Sequence, residues 1–232
     1  MEEKTRDRIW KMVQEGDENK LLEEAAVLHG HYCPGLALGV KASMTAMKRF
    51  ESEHTGMEEV IAILETNNCF SDGVQYVTGC TFGNNSLVFR DLGKTAGTFV
   101  KRGAKGLRFV TRSDARDKWI GEFPEYGALF TKVVRERSGT EEDRRRMMEM
   151  AEDISKFVVG LEPEELFEIE AVEVTLPEYA PIHDSHVCEG CGESVMSTRT
   201  VDRDGKKFCL MCGGAEYFEL DGHGMHLRGE KK

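Results

Sequence analysis

The sequence has no long apolar run. Its longest strictly aliphatic stretch is Val60-Ile61-Ala62-Ile63-Leu64, far short of the ~20 residues a membrane helix needs, so no membrane span is expected. The first twelve residues, MEEKTRDRIWKM, mix both charge signs and lack an apolar h-region. That is the pattern of neither a secretory signal nor a transit peptide, and a cytoplasmic location is expected. Positive charge is in deficit: 31 Lys and Arg stand against 42 Asp and Glu, a net charge of −11. Such a balance argues against general binding to a phosphate backbone, so nucleic acid is not the expected partner. Internal repeats, homopolymeric tracts and Gly/Ser spacers are also missing, which excludes solenoid and low-complexity architectures. What remains, 232 residues with 40% hydrophobic and 31% charged side chains, is an ordinary globular composition.

Residues 2 to 29 carry Ile9, Met12, Val13, Leu21, Leu22, Ala25 and Leu28 at helical spacing. The breaker His29-Gly30-His31-Tyr32-Cys33-Pro34-Gly35 ends that run. Pro34 suits the first position of a new helix, with Cys33 as its cap, and Leu36, Val40, Met44, Met47 and Phe50 form the buried stripe. Val60 to Leu64 reads as an interior strand and Asp72 to Val77 as a short helix, followed by strands at Leu87–Asp91, Ala96–Val100 and Leu107–Thr111. Helices are expected at Pro124–Arg137 and Glu141–Val159, and a strand over 168–176. Strand and helix do not strictly alternate, so the expected class is α+β, with a mixed or antiparallel sheet packed against helices. The Pro-bearing stretch 177–182 reads as a linker, which divides the chain into a core of residues 1–180 and a small module of residues 181–232.

Seven cysteines form an odd set, and four fall in two Cys-x-x-Cys pairs, Cys188/Cys191 and Cys209/Cys212, with 17 residues between. This spacing lies within the window for a structural zinc site. Four thiolates close a tetrahedral shell and leave no position for chemistry, so zinc here is expected to be structural. A hairpin is expected between the pairs and a short helix over Gly213–Leu220, giving a treble clef or a zinc ribbon. Residues 188–212 hold four basic and four acidic residues. That balance favours a protein partner or dimer locking over nucleic acid.

The other cysteines lie at breaks in the core. Cys33 and Cys69 each precede a predicted helix, where the dipole favours thiolate, and Cys80 lies at a helix exit. With His29 and His31 they make five soft or borderline ligands at loop junctions, suited to zinc, nickel, iron or copper. The alternative from spacing alone is that the cysteines are merely buried and the histidines cap helix ends.

The segment His29-Gly30-His31-Tyr32-Cys33-Pro34-Gly35 and the later stretch from Cys69 through Asp72-Gly73-Val74-Gln75 to Thr78-Gly79-Cys80-Thr81-Phe82-Gly83 resemble the FmdE family, named for a component of formylmethanofuran dehydrogenase. So does Arg90-Asp91-Leu92-Gly93-Lys94, and the likeness covers most of residues 20–180. The resemblance implies an α+β core, an intertwined homodimer, and a site using His31, Cys33, Cys69 and Cys80, with His29 a ligand or an orienter behind the ligands. It implies a metal (zinc, nickel or iron) in that core, with Cys33, Cys69 and His31 as the catalytic candidates. The implied role is that of an accessory component or oxidoreductase-associated enzyme linked to formylmethanofuran dehydrogenase, one-carbon metabolism and methanogenesis. The alternative is a non-catalytic metal sensor or regulator whose finger binds a protein or RNA. One loop departs from the pattern: Gly83-Asn84-Asn85-Ser86 stands where a Gly-Lys-Gly-Asn loop is expected.

Three further features read as structural. The basic run Lys94–Lys118 suits a solvated face paired with the glutamates of 157–182, and Arg144-Arg145-Arg146 suits pairing within its own helix. The histidines His183, His186, His223 and His226 read as incidental to the metal module.

Overall fold

The computed structural model describes residues 5–50 and 56–229, in two compact units, Met1–Leu176 and Pro177–Lys232. The first three helices arise where the periodic apolar pattern and its caps predict them. α1 (Asp7–Glu15) buries Ile9, Met12 and Val13 and ends at Gly16 in the left-handed region. α2 (Glu18–His29) starts where the Asp17 carboxylate accepts the Lys20 N–H, and stops where Gly30, at φ 92°, donates its N–H to Ala26 O. Residues 2–4 of the expected helical stretch lie outside the described residues. α3 (Pro34–Phe50) is buried from Leu36 through Met47. Even Lys41 is buried there, donating to Glu18 Oε1 at 2.7 Å and Val159 O at 2.9 Å.

A five-stranded mixed sheet has the order β2-β1-β3-β4-β5. β1 (Val60–Leu64) is buried on both faces and interior to the sheet, parallel to β2 (Leu87–Phe89) and antiparallel to β3 (Ala96–Lys101). α4 (Phe70–Thr78) connects the two parallel strands, the crossover that parallel pairing requires. β4 (Gly106–Thr111) and β5 (Phe167–Val172) complete the antiparallel side. Phe99, Phe109 and Phe167, fully buried on neighbouring strands, pack edge to face at 5.5 and 5.7 Å.

Several boundaries differ from expectation. The strand expected over 87–91 ends at Phe89, and that over 168–176 occupies 167–172. α5 (Ala115–Glu122) was not expected, because its Arg-Asp-Lys-Trp pattern carries little amphipathic signal. The helix expected over 124–137 is α6 (Pro124–Phe130) running into a π-turn at Thr131–Arg135. α7 (Glu141–Gly160) begins with a capping box in which the Asp143 N–H donates to Thr140 Oγ1 and the Thr140 N–H to Asp143 Oδ2. A short α8 (Pro163–Leu166) then leads into β5. Arg144 and Arg145 pair with Glu141, Glu142 and Glu149 along α7, as the spacing predicts.

The basic run is largely neutralised locally. Lys105 pairs with Glu173 at 2.9 Å, Lys118 with Glu165 at 3.8 Å and Arg102 with Glu58 at 3.4 Å. Arg108 clamps the buried Glu65 carboxylate with Nε at 2.7 Å and Nη2 at 2.9 Å. This fork holds the Glu65 carboxyl below its ordinary value, against the opposing effect of burial. A carboxyl depressed in the folded state stabilises the fold fully above its unfolded pKa, about 4.3, and less as pH falls through its folded value. Arg108→Met is therefore expected to cost roughly 1–2 kcal/mol at neutral pH and to flatten the loss of stability below about pH 4.3. Urea titrations at pH 7 and pH 3 check this; parallel losses at both would contradict it.

The smaller unit is built of three two-stranded ribbons: β6 (Ser185–Val187) with β7 (Ser194–Met196), β8 (Thr200–Arg203) with β9 (Lys206–Cys209), and β10 (Tyr217–Asp221) with β11 (Gly224–Arg228). The helix expected over Gly213–Leu220 is not there. Gly213 packs where a Cβ would meet Val201 Cβ at 2.7 Å, and Gly214 takes a φ of 60°. The β-forming Tyr217, Phe218 and Leu220 then pair across the turn residues Gly222 and His223. Among the described residues the unit pairs its strands as ribbons with one 3-10 turn at Ser197–Arg199, and its gathered cysteines are consistent with a zinc finger.

Candidate metal centre

Two helix starts and one helix end meet at the core site. His29 is the last residue of α2, and Gly30 turns the chain so that His31 and Cys33 follow beside it. Cys33 caps α3: the Leu36 N–H donates to its Sγ at 3.4 Å and the Ala37 N–H to its carbonyl at 3.1 Å. At α4 the capping side chain is Asn68, whose Oδ1 accepts the Phe70 N–H at 3.0 Å. Cys69 stands beside the start of α3, where a Cβ on Gly35 would lie 3.1 Å from Cys69 Cβ and 3.9 Å from its Sγ.

Glycine brings those helices together. A Cβ on Gly39 would lie 2.1 Å from Phe70 O, and one on Gly73 would lie 2.5 Å from Leu36 O. Only backbone-to-backbone packing fits between α3 and α4, and it sets their N-terminal ends side by side.

The ligand atoms of His29, His31 and Cys33 all lie within 4.8 Å of one another. The His29 and His31 rings are 4.4 Å apart between centroids. His29 Nδ1 is 2.7 Å from Asp72 Oδ2, and His29 Nε2 is 3.7 Å from Cys33 Sγ. With a carboxylate accepting from Nδ1–H, Nε2 is left with its lone pair toward the sulfur, the tautomer a metal ligand needs. Asp72 was not singled out from the sequence, although it lies one helical turn beyond Cys69 in the quoted motif.

The thiols are electrostatically unequal. The Cys33 hydrogen bond, outweighing burial and aided by His29 and His31, draws Cys69 down to about 5. The same bond and burial push Cys33 well up. Burial, with His29 beside it, lowers His31 and keeps that imidazole neutral. Two imidazoles and cysteine sulfur, with a carboxylate behind one ring, are donors that fit zinc, nickel or iron and are wrong for magnesium or calcium.

Cys80 is not part of this cluster. Thr78 Oγ1 accepts the Cys80 N–H at 3.0 Å and Gly79, at φ 74°, turns the chain, so the thiol points to Val60 O at 3.4 Å. Buried there, it is pushed up to about 11. The departing loop is braced by Asn84, whose Oδ1 accepts the N–H groups of Thr81 and Ser86 while Nδ2 donates to Gly79 O.

Two clefts flank the cluster. One, of about 570 Å³, runs between α2 and α7 past Glu23, His31, Tyr32, Met148, Glu149 and Glu152. The other, of about 580 Å³, is bordered by Arg6, Asp72, Gln75, Tyr76 and Thr81.

In the smaller unit the four sulfurs of Cys188, Cys191, Cys209 and Cys212 lie within 4.8 Å of one another. Backbone N–H groups of Cys209 (3.2 Å) and Gly190 (3.4 Å) donate to Cys188 Sγ, and that of Cys212 to Cys209 Sγ (3.4 Å). Such donors lower Cys188 to about 6, Cys209 being the largest cause. His183, His186, His223 and His226 do not join this group among the described residues.

The sequence profile of FmdE, "Molybdenum formylmethanofuran dehydrogenase operon", matches residues 28–168, more than half of the chain and the whole of the His/Cys cluster. The chain belongs to the FmdE family. A curated relative from Archaeoglobus fulgidus, named a probable S-adenosyl-L-methionine-binding protein, is 43% identical over 211 residues, 89% of this chain. The chain spans 56% of that relative's length. Among solved structures, a tungsten formylmethanofuran dehydrogenase FmdE-like protein from Syntrophus aciditrophicus has the same fold. Its TM-score is 0.52 at 23% identity, over 85% of this chain and 92% of that one. No helix among the described residues of this FmdE protein is long and apolar enough to cross a membrane.

Proposed function

We propose that this FmdE protein works through a transition-metal centre in its core, as an accessory component or enzyme linked to formylmethanofuran dehydrogenase and one-carbon metabolism. The observation that carries the reading is the convergence of His29, His31 and Cys33, with Cys69 close by at the start of α4. These four hold the ion, and Asp72 fixes the His29 ring. Bound zinc, nickel or iron would supply a Lewis acid toward a one-carbon or acyl group. His31 faces the α2–α7 cleft and is the ligand nearest an arriving substrate, while Cys33 and Cys69 supply negative charge to the centre. The four-cysteine unit holds a structural zinc and offers a surface for a protein partner, and the functional form is a cytoplasmic, intertwined homodimer.

A second reading has its own support in the name of the Archaeoglobus relative. A ligand-sensing regulator would take a sulfonium cation in the α2–α7 cleft, where Glu23 faces the opening beside Glu149 and Glu152, which are paired with Arg145 and Lys156. Saturable binding of S-adenosylmethionine with no turnover of any acyl or formyl substrate would favour it.

Elemental analysis of protein purified without added metal tests the first reading. Two ions per chain are expected, falling to one in a Cys188→Ser, Cys191→Ser form. A single ion that vanishes with those substitutions would sink the core centre. Asp72→Asn, which removes the carboxylate behind His29, is expected to weaken the core ion's binding about 10–100-fold while leaving the second ion in place; chelator competition reads this directly.

A further inference from the structure

We infer that the cleft between the end of α2 and α4 is a binding site for a small organic monocarboxylate, anchored by Arg6. The cleft, of about 580 Å³, shares only Asp72 with the residues of the metal cluster. Small-molecule sites typically enclose roughly 300–1,000 Å³. Arg6, just ahead of α1, reaches across to the far end of α4, where its Nη2 donates to Tyr76 O and Val77 O at 2.8 Å each. Gly79 leaves room for it: a Cβ there would lie 2.7 Å from Arg6 Cζ. The two carbonyls fix the guanidinium without neutralising it. Among the described residues no carboxylate pairs with Arg6, and its Nε–H and Nη1–H groups have no protein acceptor. Nor are those nitrogens walled in, since Thr111 Oγ1 alone among the described residues is both buried and unpartnered. Other inward-facing cations are paired: Lys41 with Glu18, Arg102 with Glu58 and Arg108 with Glu65. A half-buried guanidinium, held in place and with donors to spare beside an open cleft, is an anion receptor.

The rest of the cleft selects among anions. Thr81 Oγ1 accepts the Asn84 N–H at 3.3 Å and keeps its own proton to donate. Leu28, 57% exposed, supplies an apolar wall. Asp72, whose carboxylate is engaged by His29 and Gln75, adds negative charge at the inner edge, and that charge opposes a dianion. One cation, one apolar wall and one acid suit a single negative charge on a short carbon chain, and suit phosphate less. The inference does not require a metal in the core.

The test is calorimetric titration of the full chain with sodium acetate, sodium butyrate and inorganic phosphate at fixed pH and ionic strength. Butyrate is expected to saturate a single site per chain. It should bind roughly tenfold more tightly than acetate, since each methylene buried against Leu28 is worth about threefold to fourfold. Arg6→Gln should weaken butyrate at least about tenfold, the loss of a charge-assisted hydrogen bond. Because Arg6 also braces the end of α4, circular dichroism must show that this variant is folded, and Leu28→Ser probes the site without touching that brace. The Leu28 variant should keep the thermal midpoint and lose most of the preference for butyrate over acetate. No saturable heat with butyrate, unchanged affinity in a folded Arg6→Gln protein, or a butyrate preference that survives Leu28→Ser would overturn the proposal. So would phosphate binding more tightly than butyrate. A carboxylate bound at the His/Cys cluster instead would be indifferent to both substitutions, and that result counts against the site.

Discussion

Cys188→Ser is expected to unfold most of residues 177–229. Cys188 is one of only a few buried residues there, while Val187, Met211, Phe218 and Leu227 are all more than half exposed. Ribbons of three to five residues per strand, with so little apolar surface covered, cannot offset their own chain entropy. On the proposed reading the missing free energy comes from an ion held by the four cysteines: structural zinc contributes about 10–16 kcal/mol to small domains of this kind. Serine at this position removes a ligand and the sulfur that accepts from Cys209 and Gly190. The variant should lose one metal ion per chain and acquire protease-sensitive sites between residues 177 and 229. A variant that keeps its ion and its protease resistance would show that the ribbons fold without metal.

Gly39→Ala is expected to be the most damaging single methyl group in the core. The added carbon would lie 2.1 Å from Phe70 O and 3.0 Å from Phe70 C, and neither backbone atom can swing aside as a flexible side chain would. Overpacking of this sort costs typically about 1–3 kcal/mol, and the rigidity of both partners puts this case at the upper end. The damage is not only to stability. Parting α3 from α4 separates Cys33 from Cys69, so the variant should lose its core ion while keeping the one held by the four cysteines. A lowered urea midpoint together with that selective loss is the expected pair of results. Full metal content in a folded variant would mean that the helix crossing does not position the site.

The pattern of residues made much of this legible. The apolar period located α2, α3, β1 and α7, and the breaker from His29 to Gly35 announced the junction where the site lies. Two Cys-x-x-Cys pairs announced the second cluster, because ligand spacing within a knuckle is a local property. Positions fixed by tertiary contact were harder to read. The direction of Cys80 depends on the turn at Gly79 and on β1, and its place in the quoted motif gave no hint that it faces away. Asp72 became meaningful only when α2 lay against α4 and brought His29 to it. β10 was missed because Gly213-Gly214 reads equally as a helix start or as a break, and only pairing with β11 decides between them.

All the residues of the core cluster fall between His29 and Asp72, on α2, α3 and α4, with β1 between the last two. During synthesis they leave the ribosome as a block, before β3, β4 and β5 exist. Contacts of short sequence separation form fastest, so α2, α3 and α4 can pair and present their donors while the sheet is still half made. The order of manufacture then matters to the centre's chemistry. If the cluster holds an ion as proposed, that ion would meet its donors on the nascent chain before the last strand is added.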